Sequence, residues 1–341
     1  MGSSPQQNQF LKHTRRPFAA LLAAILLWVS TASAQAEWHG ATEALMGTRI
    51  SVRLWHEDAD LGEAAVRAAI DEIARIERLM STYMEDSRIS AINREAHLGP
   101  VPAGGELYGL IERAVKVSAM TDGRFDITYD SVGKHYDFRK GVKPDADTIA
   151  RELANIDYRF VLLDKANQTV AFKQEGVRIN LGGIAKGYAV ERAVAVVRDM
   201  GVVHASVTAG GDSRLLGDRR GQPWLVGIQD PRNEEDIAVI RLPLVDEAIS
   251  TSGDYERYFD EGDVRYHHII APSTGTSASE VQSVTVVGPE ATMTDALSTS
   301  VFVLGVADGL ALIETMEGFD AVIIDADRTV HYSSGFDPAN Q

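Results

Sequence analysis

The chain of 341 residues contains no cysteine. That excludes a disulfide framework, thiolate metal ligation and lipid attachment at a signal-cleavage cysteine. Positive charge is also scarce: 33 Lys and Arg stand against 49 Asp and Glu, for a formal net charge of −16, which argues against nucleic acid as a partner. Internal repeats, heptads and low-complexity tracts are absent, so nothing points to a solenoid or a coiled coil. An acidic protein that handles an anionic ligand must supply positive charge locally, through a bound cation, helix N-termini or a few placed Lys and Arg.

The first residues set the compartment. Lys12, Arg15 and Arg16 precede an apolar run over 18–29, and small residues follow at Ala32, Ala34 and Ala36. This layout predicts a signal peptide over 1–34, cleaved after Ala34 or Ala36. The run is too short to span a bilayer, which takes roughly 20 apolar residues. The expected location is periplasmic and soluble, and Arg15-Arg16 leaves the general and twin-arginine export routes both open. Cleavage removes three basic residues and takes the net charge from −16 to −19. The remainder suffices for a single large domain of two close lobes over 40–332, with a flexible tail at 333–341.

Periodicity supplies the elements. After Met46-Gly47-Thr48, alternation through Ile50, Val52 and Leu54 predicts a strand. Val66, Ile70, Ile73, Ile76, Leu79 and Met80 recur at helical spacing, predicting an amphipathic helix over 61–80. A second helix is expected over 106–120, with the polar segment 81–96 between the two. A strand at 177–181, a Gly182-Gly183 turn and a helix over 185–200 follow. Further strands are expected at 205–208, 224–229, 238–242, 248–251, 267–270 and 281–287, then a helix over 294–304 and a strand at 321–325. Early helices and late, clustered strands predict an α+β fold instead of a doubly wound parallel sheet.

Four segments carry candidate chemistry. In Asn180-Leu181-Gly182-Gly183-Ile184-Ala185-Lys186-Gly187-Tyr188, glycines allow close backbone approach to an anion and the helix start offers unpaired N–H groups. A strand-to-helix turn also needs glycine for steric reasons, and the segment fits neither a Walker motif nor a dinucleotide fingerprint. Asp295 and Thr299, four apart, share one helix face. Such a carboxylate and hydroxyl can hold a hard cation such as Mg²⁺, which keeps positions open for phosphates; the other reading is that Thr294 caps the helix and Asp295 complements its dipole. His267 and His268, adjacent on an expected strand, would point to opposite faces, so at most one can face a site. Ala209-Gly210-Gly211-Asp212 is either a tight turn or a ligand edge.

In chain order, Met46-Gly47-Thr48, Ser81-Thr82-Tyr83, Gly123-Arg124-Phe125-Asp126, the glycine segment 181–188, the run 209–212, Ser252-Gly253-Asp254-Tyr255, the run 267–272 and the run 295–299 resemble the FAD:protein FMN transferases, or ApbE family, over residues 40–325. The resemblance implies a mixed fold with helices packed on largely antiparallel sheets. It also implies Mg²⁺-dependent transfer of FMN from FAD to a Thr or Ser hydroxyl of an acceptor protein, releasing AMP. Mg²⁺ would sit at the Ala185 carbonyl, Asp295 and Thr299. FAD would contact Met46, Tyr83, Arg124, Phe125, Asp126, Gly182, Lys186, Tyr188 and Ile269; aromatic and thioether side chains suit its rings, and the glycine turn its pyrophosphate.

The attacking hydroxyl needs a base. His268 is the first candidate, because imidazole titrates near neutrality, with Asp254 or Asp212 second. The implied acceptors are exported domains of membrane redox complexes, with no membrane insertion of the enzyme itself. Three positions depart from the family pattern: Asn180 and Ala271 stand where Asp is usual, and Thr208 where Asn is usual. The alternatives are a Mg²⁺-dependent FAD pyrophosphatase giving FMN and AMP, and a non-catalytic FAD-binding assembly factor.

Overall fold

The computed structural model describes residues 37–233 and 238–336. The expected leader at 1–34, both of its cleavage positions and residues 337–341 lie outside the described residues. The described residues fall in one compact unit.

Eight strands form one sheet: β1 (Glu37–Leu45), β2 (Thr48–His56), β3 (Ala205–Ala209), β4 (Asp212–Leu216), β5 (Ala248–Gly253), β6 (Val281–Gly288), β7 (Asp320–Asp325) and β8 (Val330–Tyr332). Their order across the sheet is their order along the chain, and every neighbouring pair is antiparallel. The sheet is thus a meander into which everything else is inserted. Between β2 and β3 come α1 (Ala59–Met80), α2 (Arg88–Glu95), α3 (Gly105–Met120) and α4 (Ala185–Asp199); α5 (Ala291–Glu314) joins β6 to β7. The α+β expectation holds for this reason: antiparallel neighbours need no helical crossover.

Strand alternation divides the core. Ile50, Val52, Leu54, Ala205 and Val207 face Ile73 and Ile76 of α1 and Val190, Val194 and Val197 of α4, all buried. Val284, Val286 and Ile323 meet Leu297, Val301 and Phe302 of α5. On the opposite face, Leu215, Ile249 and Val287 pack under Trp224 and Leu244 of the hairpin Trp224–Gln229/Ala238–Leu244. Helix α5 is long and apolar enough to cross a bilayer, but half of its most apolar stretch is buried inside the fold. Gly305, at φ 80°, kinks it where the sequence expectation ends a helix at 304, and a further helical stretch follows.

Four local expectations are corrected. No strand forms at 177–181: the Ile179 N–H donates to the Asn93 side chain (2.8 Å), the Asn93 amide donates back to the Ile179 carbonyl (2.9 Å), and the Asn180 N–H donates to Ile127 O (2.9 Å), so side-chain and loop partners replace a ladder. The polar segment after α1 contains α2, capped by Ser87, whose hydroxyl accepts from the Ser90 N–H. Helix α5 starts at Ala291 after Glu290, so Thr294 lies inside it and is not its cap. The tail does not begin at 333: Ser333 is buried, accepts from the Ala321 N–H (2.9 Å) and donates to Asp320 Oδ1 (2.7 Å).

Candidate functional site

The glycine turn and the start of α4 lie against the first turns of α5. The Gly187 N–H donates to Asp295 Oδ2 at 2.8 Å. A Cβ on Gly187 would stand 2.1 Å from the Ala291 carbonyl oxygen and 2.6 Å from Asp295 Cβ, so only glycine permits this crossing. A Cβ on Gly183 would lie 3.1 Å from the Phe125 ring and 3.2 Å from Thr299 Oγ1. Segment 183–187 therefore runs along Thr299 and Asp295, with Ala185 between the two contacts, and the three residues expected to hold a metal come together. Gly187→Ala is expected to cost about 3 kcal/mol, because the clash is with backbone that cannot step aside. Urea unfolding measures this, and an unchanged midpoint would contradict the close crossing.

Charge at this crossing is unbalanced. Lys186 pairs with Asp212 Oδ2 and lies 3.6 Å from Asp295 Oδ1, and both carboxylates are almost wholly buried. One ammonium thus faces two buried carboxylates. Burial and then the Asp212 charge push the Asp295 carboxyl up to about 7. Lys186 is raised, since Asp212 and Asp295 outweigh the opposing effect of burial. Ser252 Oγ sits 2.9 Å from Ser298 Oγ and 3.3 Å from Thr299 Oγ1, extending the hydroxyl lining. Among the described residues no three His, Cys, Asp or Glu side chains converge to hold a metal. A cation here would rely on Asp295, a hydroxyl and a backbone carbonyl, an all-oxygen set that fits a hard divalent ion with positions left for a ligand.

The strand expected over 267–270 is two short ones, Val264–His267 and Ile270–Ala271, so facing rules for a continuous strand do not apply to His268. His267 is structural: its Nε2 donates to Ala278 O at 2.6 Å, its Nδ1 accepts from the Ile269 N–H at 3.3 Å, and its ring meets Phe302 edge-on. Ile269 is buried in the α5 core. The His268 backbone N–H donates to Arg257 O at 3.1 Å, while its Nδ1 is buried without a hydrogen-bond partner. Burial, then the nearby Arg257 charge with that of Lys186, pulls the imidazole down to about 3. His268 is therefore neutral at pH 7 with an open ring nitrogen, and an arriving anion would offset the Arg257 and Lys186 charges.

Other expected residues already hold protein partners or lie at the surface. Asp254 is clamped by Arg232 through both oxygens (2.7 and 2.6 Å), which removes it as a free base. Arg232→Met would strand a buried carboxylate, a change that costs about 3–5 kcal/mol for a fully buried pair. With Arg265 still 3.8 Å away, a loss of about 2 kcal/mol in urea unfolding is expected; no loss would mean that Arg265 suffices. Asp126 spends its carboxylate on the Thr128 N–H and hydroxyl and on the Tyr158 N–H, so it shapes the loop. The Tyr188 hydroxyl donates to Glu106 Oε1 at 2.8 Å. Tyr83, 87% exposed, and Arg124 lie open to solvent, and Phe125 is buried.

Met46 occupies a positive-φ turn position, and its N–H donates to Glu77 Oε1 at 2.7 Å. Asn180 donates to Asp130 Oδ1 (3.1 Å) and accepts from the Gly182 N–H (2.9 Å). An Asp there would oppose Asp130, which accounts for the amide. Thr208 pairs across the strands with Ser213; nothing in the structure explains Ala271. Two site residues have no sequence signal of their own. Tyr129 places its hydroxyl 3.4 Å from where a Gly182 Cβ would be, and Arg257 reaches the β1–β2 turn.

Residues 46–323 match the model of the ApbE family. The chain is 33% identical to the FAD:protein FMN transferase of Treponema pallidum, over 87% of each chain. Among solved structures, the ApbE protein of Thermotoga maritima superposes with a TM-score of 0.82 at 32% identity, covering 89% of this chain and 100% of that one. The flavin transferase ApbE of Vibrio cholerae gives a TM-score of 0.77 at 27% identity, covering 89% of this chain and 99% of its own. With the family model matched over most of its length and the fold shared, this chain belongs to the ApbE family.

Proposed function

We propose that the chain is an exported, Mg²⁺-dependent FAD:protein FMN transferase. The observation that carries this reading is the buried acidic pair, short of one positive charge, beside a glycine turn, with the open Nδ1 of His268 within reach of the same Lys186 charge. The curated relatives bearing that activity support it. The diphosphate of FAD would lie along the 182–188 turn, and Tyr83 and Met46 would border the flavin or adenine ring. The Ala185 carbonyl, Asp295 and Thr299 would hold Mg²⁺, which when bound neutralises charge on the diphosphate and the leaving group. His268 accepts the proton of the acceptor Thr or Ser hydroxyl. The hydroxyl oxygen bonds to the FMN phosphorus, the bond from that phosphorus to the AMP oxygen breaks, and AMP departs.

The leader motivates a periplasmic location, with exported domains of membrane redox complexes as acceptors. Cell fractionation tests the first part, and a purely cytoplasmic protein would overturn it. For the activity, the chain is incubated with FAD, Mg²⁺ and an acceptor domain, and acceptor mass and AMP are read. One FMN gained on a Thr or Ser is the expected result. AMP without labelling would mark a pyrophosphatase, and FAD binding with neither product a non-catalytic factor.

A further inference from the structure

Arg257 follows β5 in the chain and joins three parts of the site. Its Nη2 donates to the Met46 carbonyl at 3.3 Å and to the Gly47 carbonyl at 3.1 Å. A Cβ on Gly47 would be 3.0 Å from that nitrogen, so the guanidinium lies against the β1–β2 turn. Its own carbonyl accepts the His268 N–H at 3.1 Å. Its positive charge reaches Tyr129 beside the glycine turn, Lys186 on α4 and His268.

Among the described residues Arg257 pairs with no carboxylate. Arg75, Arg178, Arg232 and Lys186 each hold one, whereas Arg257 makes no ion pair among the described residues. In a chain with 49 acidic and 33 basic residues, a half-buried guanidinium near Lys186 with no carboxylate partner among the described residues is an open cation. Its carbonyl contacts use one nitrogen and leave the rest of the five-donor fork available. Lys186 is a weaker alternative for the same task, because Asp212 and Asp295 already share its ammonium.

We infer that Arg257 binds the diphosphate of the dinucleotide donor and, through its contacts to the Met46–Gly47 turn and the His268 backbone, sets both in register with that anion. The inference rests on the FAD-using reading above. A planar fork makes paired, charge-assisted hydrogen bonds to phosphate oxygens, which an ammonium cannot reproduce.

Fluorescence quenching of FAD and riboflavin, and competition by ADP, compare the wild-type chain with Arg257→Met and Arg257→Lys. The Met variant should bind FAD and ADP about 10- to 100-fold more weakly, the Lys variant should fall between, and riboflavin, which has no diphosphate, should lose far less than either. Added salt should narrow the FAD difference, and in turnover the KM for FAD should rise more than kcat falls. Equal losses for riboflavin and FAD would make Arg257 a mere support of the turn and overturn the inference, as would unchanged FAD and ADP affinity. If the wild type binds ADP through Arg257 but transfers no FMN, the transferase reading fails and the diphosphate assignment stands.

Discussion

Asp295→Asn should lower FMN transfer by at least about 10²-fold while making the metal-free protein more stable than its parent at pH 8. The amide keeps the shape and an oxygen for the Gly187 N–H, but removes one of two buried carboxylates that share a single lysine. The folded carboxyl is raised from 3.8 to about 7. Such a group contributes stability that is fully present below its unfolded value and lost as pH rises through the folded one. Melting temperatures in EDTA should therefore be close near pH 4 and separate towards pH 8, with the Asn variant higher. Mg²⁺ should raise the parent alone, because only the parent gains a ligand that its folded state binds. A variant that melts lower at every pH, or that responds to Mg²⁺ as the parent does, would sink the charge-imbalance account.

His268→Ala should slow transfer by about 10²- to 10⁴-fold, the usual range for a lost general base, with FAD affinity retained. The pH profile is the more specific test. Burial and the Arg257 charge hold the imidazole down to about 3 in the ligand-free site, and kcat/KM reports groups of the free enzyme. With saturating Mg²⁺, which under the proposed coordination suppresses the Asp295 titration, kcat/KM should show no descending acid limb near pH 6.5. The stability effect has the opposite sign to that of Asp295: a depressed histidine contributes stability that is present above 6.5 and declines as pH falls towards 3. Full activity of the Ala variant would assign the proton to another acceptor. Asp254 is a poor substitute, since Arg232 occupies both of its oxygens.

Long elements with a strong apolar period were legible: α1, α3 and α4 begin and end within two residues of their expected limits. Strand β1, with its mixture of small, charged and aromatic residues, was not, because no regular apolar alternation marks it and its ladder to β2 and packing on Gly62 and Trp224 are tertiary. Helix α2 escaped notice for a related reason: it is short and polar, and buries only Ile89, Ser90 and Ile92. In the site, the motif order singled out Asp295, Thr299, Lys186 and His268. It also proposed Asp254 as a base, whose neutralising arginine lies 22 residues away, and gave no sign that the Asp126 carboxylate is spent on a loop.

The sequence by itself determined the α+β class, the elements with a repeating apolar face and the family, because these depend on local period, residue chemistry and motif order. Only the tertiary structure decided which charges meet. The ammonium shared by Asp212 and Asp295, the open nitrogen of His268, the arginine clamp on Asp254 and the seating of Arg257 on the β1–β2 turn all arise where distant segments converge. Electrostatic energy follows distance and burial in space, and neither can be read from spacing along the chain.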